Sequence, residues 1–565
     1  MSEGDRDLRS IQQARRLSER AAAAAAILAG YPQESLDAVL DSMQRCALPL
    51  AQTWARLAVE ETGFGNVEDK ILKNRFASLD LYQHIRPMRT VGVLNEGDAG
   101  RVVEIASPVG VVAAIIPSTN PTSTAIYKIL ISLKAGNAIV LSPHPYAQRC
   151  VAAVAEALSQ AARAAGAPEG AISCMTDPAL EGTHELMRHP SVGVILATGG
   201  TGLVRAAYSS GKPAYGVGPG NVPAFVERTA DVAKAASDII AGKTFDNGVL
   251  CSAENAVVAD APIAGALEKQ MTLRGAAFLT DDQSALLSRL VVRQDGSLNT
   301  AIVGKAARQI ASMAGIEVPE GTRCLVSRLT GVGKEHPLSR EKLSPILAFY
   351  TQDGWEACCQ RVLEILRYGG MGHTMAIHSQ DRDIIMKFAM TKPVFRICVN
   401  TPAAVGAVGL TTGLEPSMTL GCGALGGNIT SDNIMPRHLI NLKRLAFETR
   451  PFAQVAAPAA VPTPAPIEPE SSEARVETVR EPHGSDIEDL KARVARAIDR
   501  RQAAPGSAKR APAEGPRPEA AVAFVSEADV RVALLQRRCI PVDARTIITP
   551  SARDLGQQHD VFQQV

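Results

Sequence analysis

The chain has 565 residues, 46% hydrophobic and 21% charged, with a net charge of +1. That length calls for two or more domains. The near-neutral balance leaves no electrostatic case for nucleic acid or an anionic membrane, and no run of about 18 apolar residues is present to span a bilayer. The charged opening MSEGDRDLRSIQQARR lacks the apolar core of a signal peptide, so the cytoplasm is the expected compartment.

The first hundred residues read as helices, including the alanine run 21–26 and ESLDAVLDSMQRCALPLAQTWARLAVEETG. The β-branched stretch VVEIASPVGVVAAIIPSTNP then predicts strand ending in a turn. TSTAIYKILISLKAGN and QRCVAAVAEALSQAARAAG predict helices closed by Gly136 and Gly166, separated by the short buried strand AIVLSPHP. GVILATGG is again a strand running into a glycine turn. Buried strands alternating with helices predict a parallel, doubly wound α/β sheet. A second α/β stretch opens with the helix DVAKAASDIIAGKTF and contains the strands ENAVVAD and FRICVN. Beyond residue 450 the Pro/Ala-rich PFAQVAAPAAVPTPAPIEPE predicts a linker without a core. The expected organisation is therefore 1–230 (helices and dinucleotide-binding domain), 231–420 (catalytic domain), 421–450 (return segment), 451–484 (linker), 485–502 (amphipathic helix), 503–522 (linker) and 523–565 (terminal segment).

Ten cysteines are scattered along the chain, with no C-x-x-C pair and no histidine cluster at zinc spacing. Reduced thiols and no metal site are expected. Any one of them, taken alone, is more often a small buried hydrophobe than a reagent. Cys251 stands apart because it lies three residues after a glycine in the polar, turn-rich stretch TFDNGVLCSAEN. Asn120 ends IIPSTN where a strand meets a helix, the place where open α/β sheets bind ligands. Its amide could donate to a developing oxyanion, although a turn or cap is the commoner use of an Asn there. Thr198, Gly199, Gly200 and Thr201 form a glycine turn that could bring backbone to a phosphate, but they do not make the dinucleotide fingerprint. The stretch GVGPGNVP, with Gly218 and Gly220, holds no ionisable side chain. His373 in GGMGHT and Glu341 in EKLSP complete the candidates; each by itself reads as structural.

In this order the segments SPVGVVAAIIPSTNP, KAGNAIVLSPHP, ATGGTG, GVGPGNVP, FDNGVLCSAEN and EKLSP resemble the aldehyde dehydrogenase superfamily. The resemblance covers roughly residues 36–448. PSTNPTS, LSPHP, GPGN, CSAEN, GHT and SDNIMPRHL are similar to its CoA-acylating branch, which holds microcompartment propionaldehyde and acetaldehyde dehydrogenases. The resemblance implies that Cys251 is the nucleophile and that Asn120 and the Cys251 N–H hold the alkoxide. It implies that His373 is an acid/base group, and that Pro117, Ser118, Ser142, His144, Thr198–Thr201, Gly218, Gly220 and Glu341 line the dinucleotide, with Glu341 on the nicotinamide ribose. It implies NAD (NADP possible) as cofactor, coenzyme A as co-substrate, a short-chain aldehyde such as acetaldehyde or propionaldehyde, and a homo-oligomer, dimer or tetramer. Hydrolytic relatives carry a glutamate where this chain has Gly216 or Val217. Without that base, attack by water loses about 10²–10⁴ in rate, so a thiol acceptor and an acyl-CoA product are expected. A hydrolytic enzyme giving a free acid and a non-catalytic shell-binding scaffold are the alternatives.

The tail resembles encapsulation peptides of microcompartment cargo. In SDIEDLKARVARAIDRR, Ser485 and Glu488 make a capping box, and Ile487, Leu490, Val494 and Ile498 share one helical face. The resemblance implies shell proteins or co-encapsulated enzymes as partners and the microcompartment lumen as location.

Overall fold

The computed structural model describes residues 3–97, 101–452 and most of 522–564. The chain divides into two compact units, Met1–Ala457 and Pro458–Val565.

In the first unit, helices Glu3–Leu28 and Gln33–Thr62 precede a helix Val67–Arg75 that runs straight into a π-turn, Phe76–Asp80. Strands β1 (Gly92–Asn95) and β2 (Val102–Pro108) follow as an antiparallel pair. The next five strands are β3 (Val111–Ile116), β4 (Ala138–Pro143), β5 (Ile172–Cys174), β6 (Val192–Thr198) and β7 (Ala214–Val217). They form an all-parallel sheet in the order β5-β4-β3-β6-β7. VVAAII and AIVLSP are buried at every position, as a strand covered on both faces requires. Helix Pro121–Lys134 starts with proline in its first turn, is buried along its whole length, and ends before Gly136 at φ 73°. Proline fits there because its missing N–H has no partner in any case, and glycine alone takes the left-handed exit without strain.

Seven further strands make a second all-parallel sheet: β8 (Val222–Val226), β9 (Glu254–Asp260), β10 (Ala276–Phe278), β11 (Cys324–Arg328), β12 (Ile346–Gln352), β13 (Met375–His378) and β14 (Ile397–Val399). Their order is β10-β11-β12-β9-β8-β13-β14. The change of sheet falls between Val217 and Val222, upstream of the expected boundary at residue 231. Strand periodicity reports burial, not which sheet a strand joins. Separate apolar clusters pack around the two sheets, one including Val112, Ile126 and Leu196, another including Val226, Ile240 and Phe349. β15 (Ile440–Ala446) then returns to pair with β2 over seven residues.

In the second unit, β16 (Phe524–Val525) pairs with β18 (Ile547–Ile548), and β17 (Ile540–Val542) with β19 (Phe562–Gln564), both in parallel. A helix Glu527–Gln536 lies between β16 and β17, and Val525, Val530, Ala533, Val542 and Val561 form a small buried cluster. The expected amphipathic helix 485–502 lies outside the described residues. Among the described residues no helix is long and apolar enough to cross a membrane, and no group of His, Cys, Asp and Glu is arranged to hold a metal ion.

Candidate active site

The first sheet reverses its winding at β3, which has β4 on one side and β6 on the other. Open parallel sheets bind ligands at that switch point, beyond the carboxyl ends of the strands. A cavity of about 540 Å³ lies there. Its first wall is built from the ends of β3 (Ile115 to Asn120), β4 (Ser142 to Pro145), β6 (Thr198 to Gly200) and β7 (Val217 to Pro219). Its second wall comes from the loops that enter β9 and β12, with Val249, Cys251, Glu341 and Leu343.

Cys251 is presented by an unusual turn. Helix Val232–Thr244 ends, and Asp246 (φ 47°), Asn247 (φ 53°) and Gly248 (φ 72°) are all left-handed. Such conformations cost about 1 kcal/mol or more for residues other than glycine. They persist because the turn is held on all sides: Asp246 N–H donates to Asp69, and the Asn247 amide donates to the Gly65 and Gly304 carbonyls. The Cys251 thiol is pushed up to about 12 by burial, with the charges of Glu341 and Cys422 adding to the rise and Arg396 opposing it. The thiol is therefore protonated at neutral pH until something stabilises its anion.

Asn120 sits at the start of helix Pro121–Lys134 but makes no cap hydrogen bond. Its Oδ1 instead accepts from Lys73 Nζ at 2.5 Å, and its Nδ2 donates to Thr119 Oγ1 at 3.2 Å. Glu341 Oε1 accepts from the Gly220 N–H at 2.9 Å. Burial pushes the Glu341 carboxyl up to about 8. Helix Thr201–Tyr208 begins at the cavity after Gly200, which supplies no side-chain cap, so its first N–H groups remain for an anionic group such as a pyrophosphate. An added Cβ at Gly200 or Gly218 would meet nothing within 4 Å, so backbone is open to a ligand at both. These features fit a dinucleotide.

The cavity thus gathers Pro117, Ser118, Asn120, Ser142, His144, Thr198, Gly199, Gly200, Gly218, Cys251 and Glu341 from the expected set. Thr201 opens the helix behind the glycine turn. Gly220 lies behind the wall, where a Cβ would fall 2.2 Å from the Cys251 carbonyl oxygen and 3.3 Å from the His373 ring. His373 is fully buried and does not line the cavity. Its Nδ1 meets Thr374 Oγ1 at 3.0 Å, and burial, then Arg396, pushes it down to about 3. In this geometry it is a neutral imidazole buried behind Gly220. Lys70, Lys73 and Asp246 were not singled out by sequence reasoning. The signal available was the i,i+3 lysine pair in EDKILKN, which places both ammonium groups on one helix face.

Two all-parallel sheets closing on one cleft, with a cysteine presented from the second, define an α/β fold of two sheets. The aldehyde dehydrogenase family pattern matches residues 10–328, and the chain belongs to that family. It is 42% identical over 435 residues to the bifunctional aldehyde-alcohol dehydrogenase AdhE of Escherichia coli strain K12, a match that covers 76% of this chain and 49% of the relative. The chain spans about half the length of the curated aldehyde-alcohol dehydrogenases it matches. A solved acetylating aldehyde dehydrogenase from Geobacillus thermoglucosidasius is 51% identical with a TM-score of 0.78, over 79% of this chain and 98% of that one. A propionaldehyde dehydrogenase from the Clostridium phytofermentans fucose utilisation bacterial microcompartment is 32% identical with a TM-score of 0.69, over 76% and 96%.

Proposed function

We propose that the protein is an NAD(P)-dependent, CoA-acylating aldehyde dehydrogenase that converts a short-chain aldehyde to its acyl-CoA. The observation that carries this reading is the cavity lined by both Cys251 and Asn120, where the stretch Val217–Pro219 contributes no carboxylate. The acetylating relative supports the choice of acceptor.

The Cys251 thiol gives up its proton to solvent, and the thiolate sulfur adds to the aldehyde carbonyl to form a thiohemiacetal alkoxide. The Asn120 amide and the Cys251 N–H donate to that oxygen as its charge develops. The oxidised nicotinamide, when bound, supplies the hydride acceptor. Expulsion of hydride leaves an acyl thioester on Cys251. With no carboxylate on the Val217–Pro219 wall to activate water, the thiol of coenzyme A, the better nucleophile toward a thioester, attacks the acyl carbon and expels the Cys251 sulfur, which takes up the proton the CoA thiol loses.

The decisive experiment supplies NAD+ and propionaldehyde without coenzyme A. NADH is expected as a burst near one equivalent per active site, followed by a stall that coenzyme A relieves. Steady NADH production with free acid as product would establish the hydrolytic alternative.

We further assign the enzyme to a microcompartment, supported by the likeness to the Clostridium phytofermentans enzyme and by the amphipathic pattern from Ser485. Truncation after Arg450 should leave kinetics in dilute solution unchanged and abolish co-purification with shell proteins. A truncated enzyme that still enters shells would refute the targeting role.

A further inference from the structure

Helix Val67–Arg75 carries a polar face that is buried, and its partners are the two halves of the site. Lys73 Nζ donates to Asn120 Oδ1 at 2.5 Å and also to Asp246 Oδ2. Lys70 Nζ donates to the same Asp246 oxygen at 2.9 Å and to the Thr119 carbonyl at 3.0 Å. Asn74 Oδ1 accepts from Thr122 Oγ1 at 2.8 Å, just past Asn120 in the chain. On the other side, Asp246 Oδ1 accepts from the Asn66 N–H at 2.8 Å. Gly65 is packed so tightly that a Cβ there would lie 1.8 Å from the Asp246 carboxylate. Asp246 stands five residues before Cys251 in the strained turn. One short helix therefore grips both the oxyanion donor and the loop of the nucleophile.

Lys73 decides which way Asn120 faces. An ammonium group only donates, so the amide edge against it is the carbonyl oxygen. The Nδ2 edge is then directed away from Lys73, with one N–H on Thr119, and Asn120 is among the residues that line the cavity. The reverse rotamer would aim a carbonyl dipole at the alkoxide and lose the donor. Asp246 and the nearby Asp69 balance the charges of Lys70 and Lys73, so what sets Lys73 apart is its hydrogen bond to Asn120. Burying a second ammonium is costly: desolvation pulls Lys73 down to about 8 despite the neighbouring Asp246. The π-turn that follows at Phe76 is a rare geometry that recurs at functional sites.

We propose that Lys73 is a positioning residue for the oxyanion step, holding the Asn120 amide with its N–H edge toward the cavity and tying it, through Asp246, to the turn that presents Cys251. This rests on the reading of Asn120 as oxyanion donor and Cys251 as nucleophile.

The test is a double-mutant cycle on the full chain, read as the rate of the NADH burst with aldehyde and NAD+ in the absence of coenzyme A. Lys73→Met keeps the length of the side chain and removes its donors; it should slow the burst about tenfold to a hundredfold, short of or equal to the loss in Asn120→Ala, for which about 10²–10³ is expected. NAD+ affinity should stay within about twofold. The double variant should be no slower than Asn120→Ala alone, because Lys73 acts through that amide. Lys70→Met, which leaves the Lys73–Asn120 bond in place, should lower the melting temperature and slow the burst clearly less than Lys73→Met does. If Lys73→Met lacks a cooperative melting transition, Lys73→Gln, a shorter but polar side chain that cannot reach Asn120, enters the same cycle under the same criterion. A wild-type burst rate in the Lys73 variant, losses that multiply in the double variant, or equal slowing by Lys70→Met would overturn the proposal. A wild-type burst in Asn120→Ala would instead remove the oxyanion assignment itself.

Discussion

The two walls of the cavity are made from the same kind of sheet but approach it from opposite ends. The first wall uses the carboxyl ends of β3, β4, β6 and β7 and offers short polar side chains, glycines and a helix terminus. The second uses the loops entering β9 and β12 and offers a thiol and a carboxyl, both displaced from their ordinary pKa by burial. A neutral wall with open backbone suits a large charged ligand that must bind and leave. Reactive groups belong where desolvation makes small changes of charge expensive, since there a bound cation such as the oxidised nicotinamide ring has most effect on the thiol. In the proposed enzyme the first wall recognises and the second reacts.

The sharpest way to break this division is Cys251→Ala. It should remove the NADH burst and acyl-CoA formation to background, a loss of about 10⁴-fold or more, while NAD+ still raises the melting temperature. Residual turnover above that level would move the nucleophile elsewhere.

Matched glycine substitutions probe the walls next. Gly220→Ala drives a Cβ to 2.2 Å from the Cys251 carbonyl oxygen, so the cysteine backbone must move. A displacement near 1 Å at a reacting group costs about a hundredfold, seen in kcat. Gly200→Ala meets nothing within 4 Å, and its extended backbone (φ −65°, ψ 162°) suits alanine. It should leave the melting temperature and kcat alone and raise KM for the dinucleotide by a few-fold. Equal effects on kcat from the two would erase the proposed contrast.

A smaller effect is expected from Glu341→Gln on thiol reactivity. The Glu341 charge raises the Cys251 pKa, so removing it should lower that pKa. Iodoacetamide alkylation of the free enzyme at about pH 8.5–9 should then speed up, because a thiol whose ionisation constant rises tenfold holds up to about tenfold more thiolate below its pKa. Slower alkylation would mean that Glu341 acts as the thiol's base and not as an opposing charge.

The smallest effect concerns stability. Glu254 is fully buried, with Oε1 held by the Ala403 N–H and Oε2 without a partner, and burial pushes it up to about 8 from 4.5. Because the folded-state pKa is raised, the stabilisation is complete below about pH 4.5 and is lost as pH rises through 8. A tenfold change in an ionisation constant corresponds to about 1.4 kcal/mol. Glu254→Gln should flatten the fall in unfolding free energy between about pH 5 and pH 8.5 in urea titrations; an unchanged slope would show that Glu254 ionises without cost.

Much of the first wall was legible in the sequence. IIPSTNP, LSPHP and ATGGTG each end a buried strand, and strand ends of a parallel sheet converge on one edge, so local patterns already implied a shared crevice. Cys251 could be proposed as the nucleophile only through the company of the other motifs, since a lone cysteine in a turn has no local signature. His373 shows the limit of that reasoning. GGMGHT marks a glycine loop, but the sequence does not report that the imidazole is buried behind Gly220 and away from the cavity lining.

By itself the sequence determined the alternation of strand and helix, the helix ends at Gly136 and Gly166, and the set of polar turns, because each depends on residues within one or two turns of the chain. The tertiary structure decided the rest. It set which sheet Val222–Val226 joins, brought Glu341 into the same cavity as Cys251 from a distant part of the chain, and buried Lys70 and Lys73 against Asp246, 176 and 173 residues away. Those pairings are chosen by packing, and the ionisation states of the groups involved follow from how completely that packing excludes water.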